Sequence, residues 1–471
     1  INRNIPSLRD LLYECSNIRE CYTTFLILVN VISSVEVLEA CIRRIKDVNS
    51  ALNCFVEDRF ELALKEAREA DDLVRSGTKS TTQLEDEQPF LGVPFTTKDC
   101  VGVKGTCLHQ TAGVVLCQDI IAEEDSDVIR LLRRKGAIII GLTNVPECCM
   151  WWETHNQIHG RTKNPYNTTR IVGGSSGGEG CCQAAGGSLF GIGSDIGGSI
   201  RMYFNGIFDH KTSPIGPMTR HAVDLKPILK IISGENSDKL NLDKPVDIKK
   251  LKYFYQLSND APLVDPVDPE IIAAMKKVTE FLKKQYQIDA EEKKIPLLRK
   301  SMPIWFASMK TEKKFGQYIM KKESIGAICL EMVKNVFGLS GNTFIGLITA
   351  LNDYGGVEVD SDKHKYYLEL RENLENIFSA MLGDNGVFLF PLHPTTALYH
   401  NEPLFRSMNF IYTAIFNSLG LPSTTVPLGL CREGLPIGIQ VVANHNQDRL
   451  CLAVAEEIDQ AFGGWVEPQK S

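Results

Sequence analysis

The chain has 471 residues, and 51 Lys+Arg against 58 Asp+Glu give a formal net charge of −7; hydrophobic residues make up 43% and charged residues 23%. This balance is globular and excludes a fibrous, collagen-like or disordered chain. The acid excess argues against nucleic acid as a partner, because phosphate binding needs clustered Lys and Arg. No run of 18 apolar residues occurs, and the longest candidate, Phe25 to Ile32, is short and interrupted by Asn30. The first residue is Ile1 rather than Met, which predicts a processed, truncated or incomplete chain, and no signal-peptide pattern follows. Fourteen cysteines are present without any C-x-x-C, and Cys148-Cys149 and Cys181-Cys182 are adjacent pairs. That spacing predicts no zinc or thioredoxin site but free thiols packed as small hydrophobes in a reducing compartment. It outweighs the sequon Asn167-Thr168-Thr169, which would point to secretion.

In chain order, residues 35 to 76 read as two helices. Val35, Val37, Leu38, Cys41, Ile42 and Ile45 share one face, Ser33 and Glu36 have capping-box spacing, and the second helix ends near Gly77. Phe90 to Phe95 is an apolar stretch leading into Thr96-Thr97-Lys98-Asp99. A helix at 126–133, a stop at Gly136 and an all-apolar strand at 137–142 follow the grammar of a sheet covered on both faces. Residues 170 to 200 are rich in Gly and Ser, but Leu189 to Gly193 reads as a strand, so the segment is ordered backbone that needs close approach. Residues 225 to 385 are Lys/Glu-rich with helical periodicity and read as an insertion or cap. Strands return at 387–390 and 437–442, and a last amphipathic helix starts at Asp448.

Three local features carry chemistry: Lys98 in TTKD, GGSSGGEG at 173–180 and SDIGGSIR at 194–201. A serine nucleophile needs a base, and acyl transfer needs donors aimed at the developing oxyanion. Ser199 offers an Oγ, and the N–H groups of Ile196, Gly197, Gly198 and Ser199 can converge because glycines tolerate unusual dihedrals. His155, His159 and His210 have no spacing that pairs them with a Ser and an acid. Lys98 is the alternative base, provided that burial depresses its pKa; taken alone it reads rather as an exposed lysine at a strand end. Gly174-Ser175-Ser176-Gly177-Gly178 also fits the G-x-S-x-G elbow, but only Ile171-Val172 stands where that motif needs an apolar strand.

Taken together, GVPFTTKDC (92–100), AEEDSDVIRLLRRKGAIIIGLTNVPE (122–147), GGSSGGEG, GIGSDIGGSIR (191–201) and GLPIGIQVVANHNQDRLCLAVAEE (434–457) resemble the amidase-signature family. Within it the chain is most similar to the animal fatty-acid amide hydrolases, in their type 2-like branch. The resemblance covers most of 35–230 and 385–468. It implies an α/β fold: one large α/β/α sandwich with a mixed, mostly parallel central sheet, residues 1–471 as one amidase domain and 225–385 as a largely helical elaboration. It implies a serine hydrolase of carboxylic amides, long-chain fatty-acid amides in particular, acting through an acyl-enzyme. Its triad would be Ser199 as nucleophile, Ser175 as bridging serine after a cis bond from Gly174, and Lys98 as base. Ile196, Gly197 and Gly198 would form the oxyanion hole, with Ser176, Asp195 and Arg201 in support and no metal or cofactor. Trp151-Trp152 resembles the fatty-amide branch and reads equally as aromatic core.

The implied partner is a small-molecule acyl amide, with a membrane surface and a homodimer left open. The expected location is intracellular, attached to a membrane through a segment upstream of Ile1 and otherwise cytoplasmic. The apolar residues Phe337, Leu339, Phe344, Ile345, Leu347, Ile348 and Leu351 are a candidate channel wall or membrane-facing cap, or else a buried helix. The pattern departs from the family after Arg201: Met202-Tyr203-Phe204 replaces a Pro-Ala turn, and the stretch to Ser213 is short. Two other readings therefore stand beside the enzyme: a weak or inactive amidase fold that binds acyl ligands, and an amidotransferase subunit.

Overall fold

The structure, a computed structural model, describes residues 26–29, 31–104, 111–201, 205–206, 215–309, 315–321, 324–355 and 357–469. Helix α1 (Ser34–Leu52) begins on a complete capping box between Ser33 and Glu36. After β1 (Phe55–Asp58), α2 (Phe60–Ser76) stops at Gly77, whose φ of 64° is the left-handed cap that glycine adopts freely. There follow α3 (Thr81–Glu87), β2 (Pro94–Lys98), α4 (Asp127–Arg134), β3 (Ile138–Thr143), the short pair β4 (His155–Asn156) and β5 (Gly160–Arg161), α5 (Gly177–Ala184), β6 (Phe190–Ser194), β7 (Asn205–Gly206) and β8 (Ile215–Thr219). The second half runs α6 (Leu225–Ile232), α7 (Ser237–Leu240), β9 (Lys252–Tyr255), α8 (Pro269–Tyr286), β10 (Glu291–Glu292), α9 (Ser301–Ser308), α10 (Phe315–Met320), α11 (Ile325–Val336), α12 (Phe344–Asn352) and α13 (Asp362–Leu382). It closes with β11 (Gly386–Pro391), α14 (Ile411–Leu419), β12 (Ser423–Leu430), β13 (Pro436–Ala443) and α15 (Asp448–Phe462).

The fold is α/β with mixed sheets. One sheet has the order β1-β3-β2-β6-β8-β7 and the other β10-β9-β11-β13-β12. The parallel pairings are β2–β3, β2–β6, β9–β10 and β9–β11, and the outer strands of each sheet add antiparallel ones. Parallel strands are buried on both faces, and the side chains show it. In β3, Ile139 joins Phe95, Phe190, Val128 and Leu132 in one core, whereas Ile138 and Ile140 join Leu38, Ile42, Ala63, Cys181 and Cys182 in another. In β11, Phe388 and Phe390 pack with Phe378 and Phe416 while Val387 and Leu389 pack with Met275, Val278 and Val454. The period-two alternation thus feeds a core on each side of each sheet. Cys54, Cys181 and Cys182 fill core positions, and no disulfide joins the described cysteines.

Residues 225 to 385 hold mainly helices, but β9 within them pairs with β11 in the second sheet. The apolar stretch from Phe337 to Leu351 divides. Leu347 is buried with Ile328 and Ala350, whereas Phe337 and Leu339 are 72% and 74% exposed and continue an outward apolar row through Leu330, Val333 and Val336. Among the described residues no helix is long and apolar enough to cross a membrane.

Phe378 is fully buried and meets Phe388 and Phe416 edge-on at 5.3 and 5.7 Å. Phe378→Ala is expected to cost about 3–5 kcal/mol through lost burial and the cavity left behind, read as a lower urea midpoint. Phe405→Ala, at a residue 89% exposed, should shift stability by no more than about 0.5 kcal/mol.

Candidate active site

Parallel pairing of β2 with β6 sets their carboxyl ends side by side, the edge at which α/β sheets place their ligands. Lys98 is the last residue of β2 and Ser194 the last of β6. Lys98 is fully buried, and its Nζ lies 2.8 Å from Ser175 Oγ, 2.8 Å from Ser194 Oγ and 3.3 Å from the Ser194 carbonyl oxygen. Ser175 follows a cis bond from Gly174 and lies just before α5. Gly174 is packed so closely that a Cβ there would lie 2.6 Å from the Trp151 carbonyl oxygen. Trp151 and Trp152 thus wall the turn, and Trp152 is buried with Ile171 and Leu398.

Helix α5 is pinned to the sheet by Glu179. This fully buried carboxyl accepts from Thr96 Oγ1 of β2 at 2.7 Å, Thr143 Oγ1 of β3 at 2.8 Å and Gln183 Nε2 at 3.1 Å. Burial, only partly offset by these bonds, pushes its pKa up to about 7. On the sheet's other flank Asp99 is also buried and raised to about 7, again mainly by burial, with Thr111 opposing. His159 Nε2 is 4.0 Å from Asp99 Oδ2. Neither His155 nor His159 contacts Ser175 or Ser199, and burial lowers both their pKa values. His210 lies outside the described residues.

The loop after β6 is folded around Asp195. Its buried carboxylate accepts from Gly198 N–H at 2.5 Å, Ile200 N–H at 3.0 Å, Arg201 Nε at 3.2 Å and Asn417 Nδ2 at 2.8 Å. Burial alone would raise its pKa, but the Arg201 charge and the hydrogen bonds outweigh this and hold it below the usual value. Arg201, itself buried, also donates to Gln440 Oε1, to the Thr413 carbonyl and to Asn417 Oδ1. Ser176 N–H donates to the Ser199 carbonyl at 3.1 Å and its Oγ reaches the Ser194 carbonyl at 3.3 Å, which ties the two serine turns together.

The structure therefore brings together Lys98, Ser175, Ser176, Asp195, Ser199 and Arg201, with two differences from the sequence reading. The Gly198 N–H is committed to Asp195, and Gly198 sits at φ +114° where a Cβ would run into Thr413. The N–H groups without an acceptor among the described residues are those of Ile196, Gly197 and Ser199. The Ser199 hydroxyl, 7% exposed, makes no hydrogen bond among the described residues, so the Lys98–Ser175 bond stops one step short of it. Ser194 opened the SDIGGSIR run but was given no role, and Thr413, Asn417 and Gln440 went unnoticed in the sequence. For Ser194 the signal was its position at the end of a strand parallel to that of Lys98; the other three carry none. Residues 202–204 and 207–214, where the pattern departs from the family, lie outside the described residues. A separate cavity is lined by Trp152, Ile171, Leu392, His393, Thr425 and Trp465 among others, and Lys98, Ser175 and Ser199 are not on its wall.

The amidase family model matches residues 36–213 and 206–452. The chain belongs to the amidase family. Its two matched parts meet within the short stretch after Arg201. Fatty-acid amide hydrolase 2-A of Danio rerio is 41% identical over 473 residues, covering 93% of this chain and 88% of that protein, and human fatty-acid amide hydrolase 2 is 41% identical over 471 residues with the same coverage. A solved fatty acid amide hydrolase superposes with a TM-score of 0.76 at 22% identity, over 100% of this chain and 92% of the other, so the fold is shared. This chain is an amide-hydrolysing enzyme closely related to fatty-acid amide hydrolase 2.

The folded protein keeps the Glu179 proton up to about pH 7, whereas an unfolded carboxyl releases it near 4.5. Between those values the folded state binds the extra proton, so stability falls as pH rises through that window. Glu179→Gln, neutral throughout, is expected to flatten that part of the melting-temperature profile between pH 5 and 8, as read by calorimetry.

Proposed function

We propose that the chain hydrolyses long-chain fatty-acid amides with Ser199 as nucleophile, Ser175 as proton relay and Lys98 as base. The observation that carries this reading is the buried Lys98 Nζ–Ser175 Oγ bond of 2.8 Å beside a loop with unused N–H groups. Ser199 Oγ attacks the amide carbonyl while its proton passes to Ser175 Oγ, whose own proton goes to the Lys98 amine. The developing oxyanion lies against the N–H groups of Ile196, Gly197 and Ser199, where donors fixed beforehand act most strongly. The same relay returns a proton to the leaving amine, and water then resolves the acyl-enzyme. Closing the relay requires the Ser175 and Ser199 hydroxyls to meet once substrate fills the site, since catalytic hydrogen bonds tighten in the substrate complex. Ser194 holds Lys98 by its Oγ and carbonyl.

The long-chain preference is supported by the two fatty-acid amide hydrolase 2 relatives and by the outward apolar row from Ile325 through Val336 to Leu339. We infer that this row rests on a lipid surface from which an acyl chain enters. Phe337→Glu together with Leu339→Glu should reduce cosedimentation with phosphatidylcholine vesicles while leaving turnover of a short soluble amide unchanged. An acyl-binding protein without turnover is the second reading, and it draws on the family model matching in two parts that overlap at 206–213, just after Arg201.

A fluorophosphonate probe is expected to label Ser199, and Lys98→Ala should slow that labelling by about 100- to 10,000-fold while binding of a non-hydrolysable acyl analogue persists. Labelling undiminished by Lys98→Ala would remove the lysine from its role, and absent labelling of the parent would favour the second reading. Across acyl amides of increasing length, kcat/KM should rise roughly fourfold per methylene until the channel is filled, from about 0.8 kcal/mol per buried CH2. A flat profile would indicate a small-amide amidase.

A further inference from the structure

Three consecutive carbonyls in the loop ahead of Ser199 are each held from outside by a side chain. Asn417 Nδ2 donates to Asp195 O at 3.0 Å, Trp305 Nε1 to Ile196 O at 3.2 Å and Thr413 Oγ1 to Gly197 O at 2.8 Å. These peptides are trans, and in a planar trans peptide the C=O and the following N–H point in opposite directions. Anchoring the three carbonyls therefore turns the N–H groups of Ile196, Gly197 and Gly198 to the opposite side. That of Gly198 ends on Asp195, and those of Ile196 and Gly197 have no acceptor among the described residues.

Of the three anchors, Asn417 and Thr413 also hold Arg201, so they serve the whole loop. Trp305 is different. It comes from α9, within residues 225–385, and its indole makes one hydrogen bond, to Ile196 O. It is 7% exposed, and its ring is fixed edge-on against Phe410 at 4.9 Å. A Cβ on Gly197 would lie 3.5 Å from that ring, so the loop rests directly on it. Glycine leaves the Ile196–Gly197 peptide free to rotate at little cost. The Trp305 N–H opposes that rotation, because a flip would leave a partly buried carbonyl and the indole donor unpaired.

We infer that Trp305 is a positioning residue for the oxyanion site: its indole N–H fixes the Ile196–Gly197 peptide so that Gly197 N–H faces the substrate carbonyl. This rests on Ser199 being the nucleophile. Trp305 does not touch the reacting atoms; it acts through the one peptide whose orientation it sets.

Trp305→Phe keeps an aromatic ring against Phe410 and removes the donor. Loss of one oxyanion donor lowers kcat by about 100- to 1,000-fold, and a peptide that still samples the correct orientation should lose less, so a fall of roughly 10- to 100-fold in kcat is expected. KM should be nearly unchanged. Affinity for a trifluoromethyl ketone, which presents an oxyanion when a serine adds to it, should fall by the same factor. A merely structural role would instead move melting temperature, KM and kcat together, and that result overturns the inference. Parental kcat and ketone affinity in Trp305→Phe, with the parent labelled at Ser199, also overturn it. A parent not labelled at Ser199, whose turnover survives Ser199→Ala, sinks the nucleophile assignment instead. Should Trp305→Phe not fold, Phe410→Leu tests the same point by loosening the indole without removing its N–H. A selective loss of about threefold in kcat and ketone affinity supports the inference, and parental values of both overturn it.

Discussion

A carboxylate taken fully out of water must be surrounded by donors or it will not stay charged, and the Asp195–Arg201 pair is where this enzyme meets that demand. Asp195 gathers two backbone N–H groups, a guanidinium and an amide, while Arg201 spreads its remaining donors over Gln440, Thr413 and Asn417. Replacing such a pair by apolar residues is often neutral or better for stability, so its value here lies in shape. The backbone groups on which Asp195 closes belong to Gly198 and Ile200, the residues flanking Ser199. The carboxylate thus curls the chain into a turn with Ser199 at its crest, and the donor lost to that closure, the Gly198 N–H, is the cost of holding the turn.

The turn belongs to one sheet and its braces to the other. Lys98, Ser175 and Ser199 are set by β2, α5 and the end of β6. Trp305, Thr413, Asn417 and Gln440 come from α9, α14 and β13, which pack on the second sheet. The seam between the two carries the electrostatic burden, because that is where a charged pair can be reached from both layers while water is excluded. Each sheet is backed by its own cores on both faces, so the braces stand on elements that cannot yield locally.

Most of the first sheet was legible in the sequence because its signals are local. A capping box at Ser33, a glycine stop at Gly77 and the unbroken apolar run at 138–142 each declare themselves within a few residues. β9 did not, since Lys252–Tyr255 is four residues long among lysines and becomes a strand only by pairing with β11. β12 was hidden by Pro427 and Gly429, which fall where its pairing with β13 shifts register. In the site, DIGGS pointed to Ser199 because glycine-rich backbone is informative in itself, whereas Ser175 within GGSS was singled out only by the resemblance to the amidase-signature family. The braces were illegible for the opposite reason: Trp305 and Asn417 are ordinary helix residues, and what distinguishes them is contact with a loop 109 and 222 residues away in the chain.

The proposed lysine base would also account for the way the polar groups around the site are arranged. A histidine base must be held in one tautomer and one ring plane, usually by a carboxylate. An amine has no plane to fix and needs only acceptors that place its nitrogen. Lys98 has three of these, and none is a charged group: Ser175 Oγ, Ser194 Oγ and the Ser194 carbonyl. A carboxylate bonded to the amine would hold it as ammonium and end its use as a base. The neighbouring carboxyls are turned elsewhere, Asp99 onto Thr111 and Glu179 onto Thr96, Thr143 and Gln183, and burial favours the neutral form of both; the Cys100 thiol beside Ser194 Oγ is instead lowered to about 6, by its contact with Cys149 first and by the Lys98 charge. Asp195, whose pKa is held below the usual value, is engaged by Arg201 and the turn that carries Ser199. Keeping the charged Asp195–Arg201 pair apart from Lys98 and Ser175 lets the site hold a rigid charged brace and the serine–lysine contact side by side.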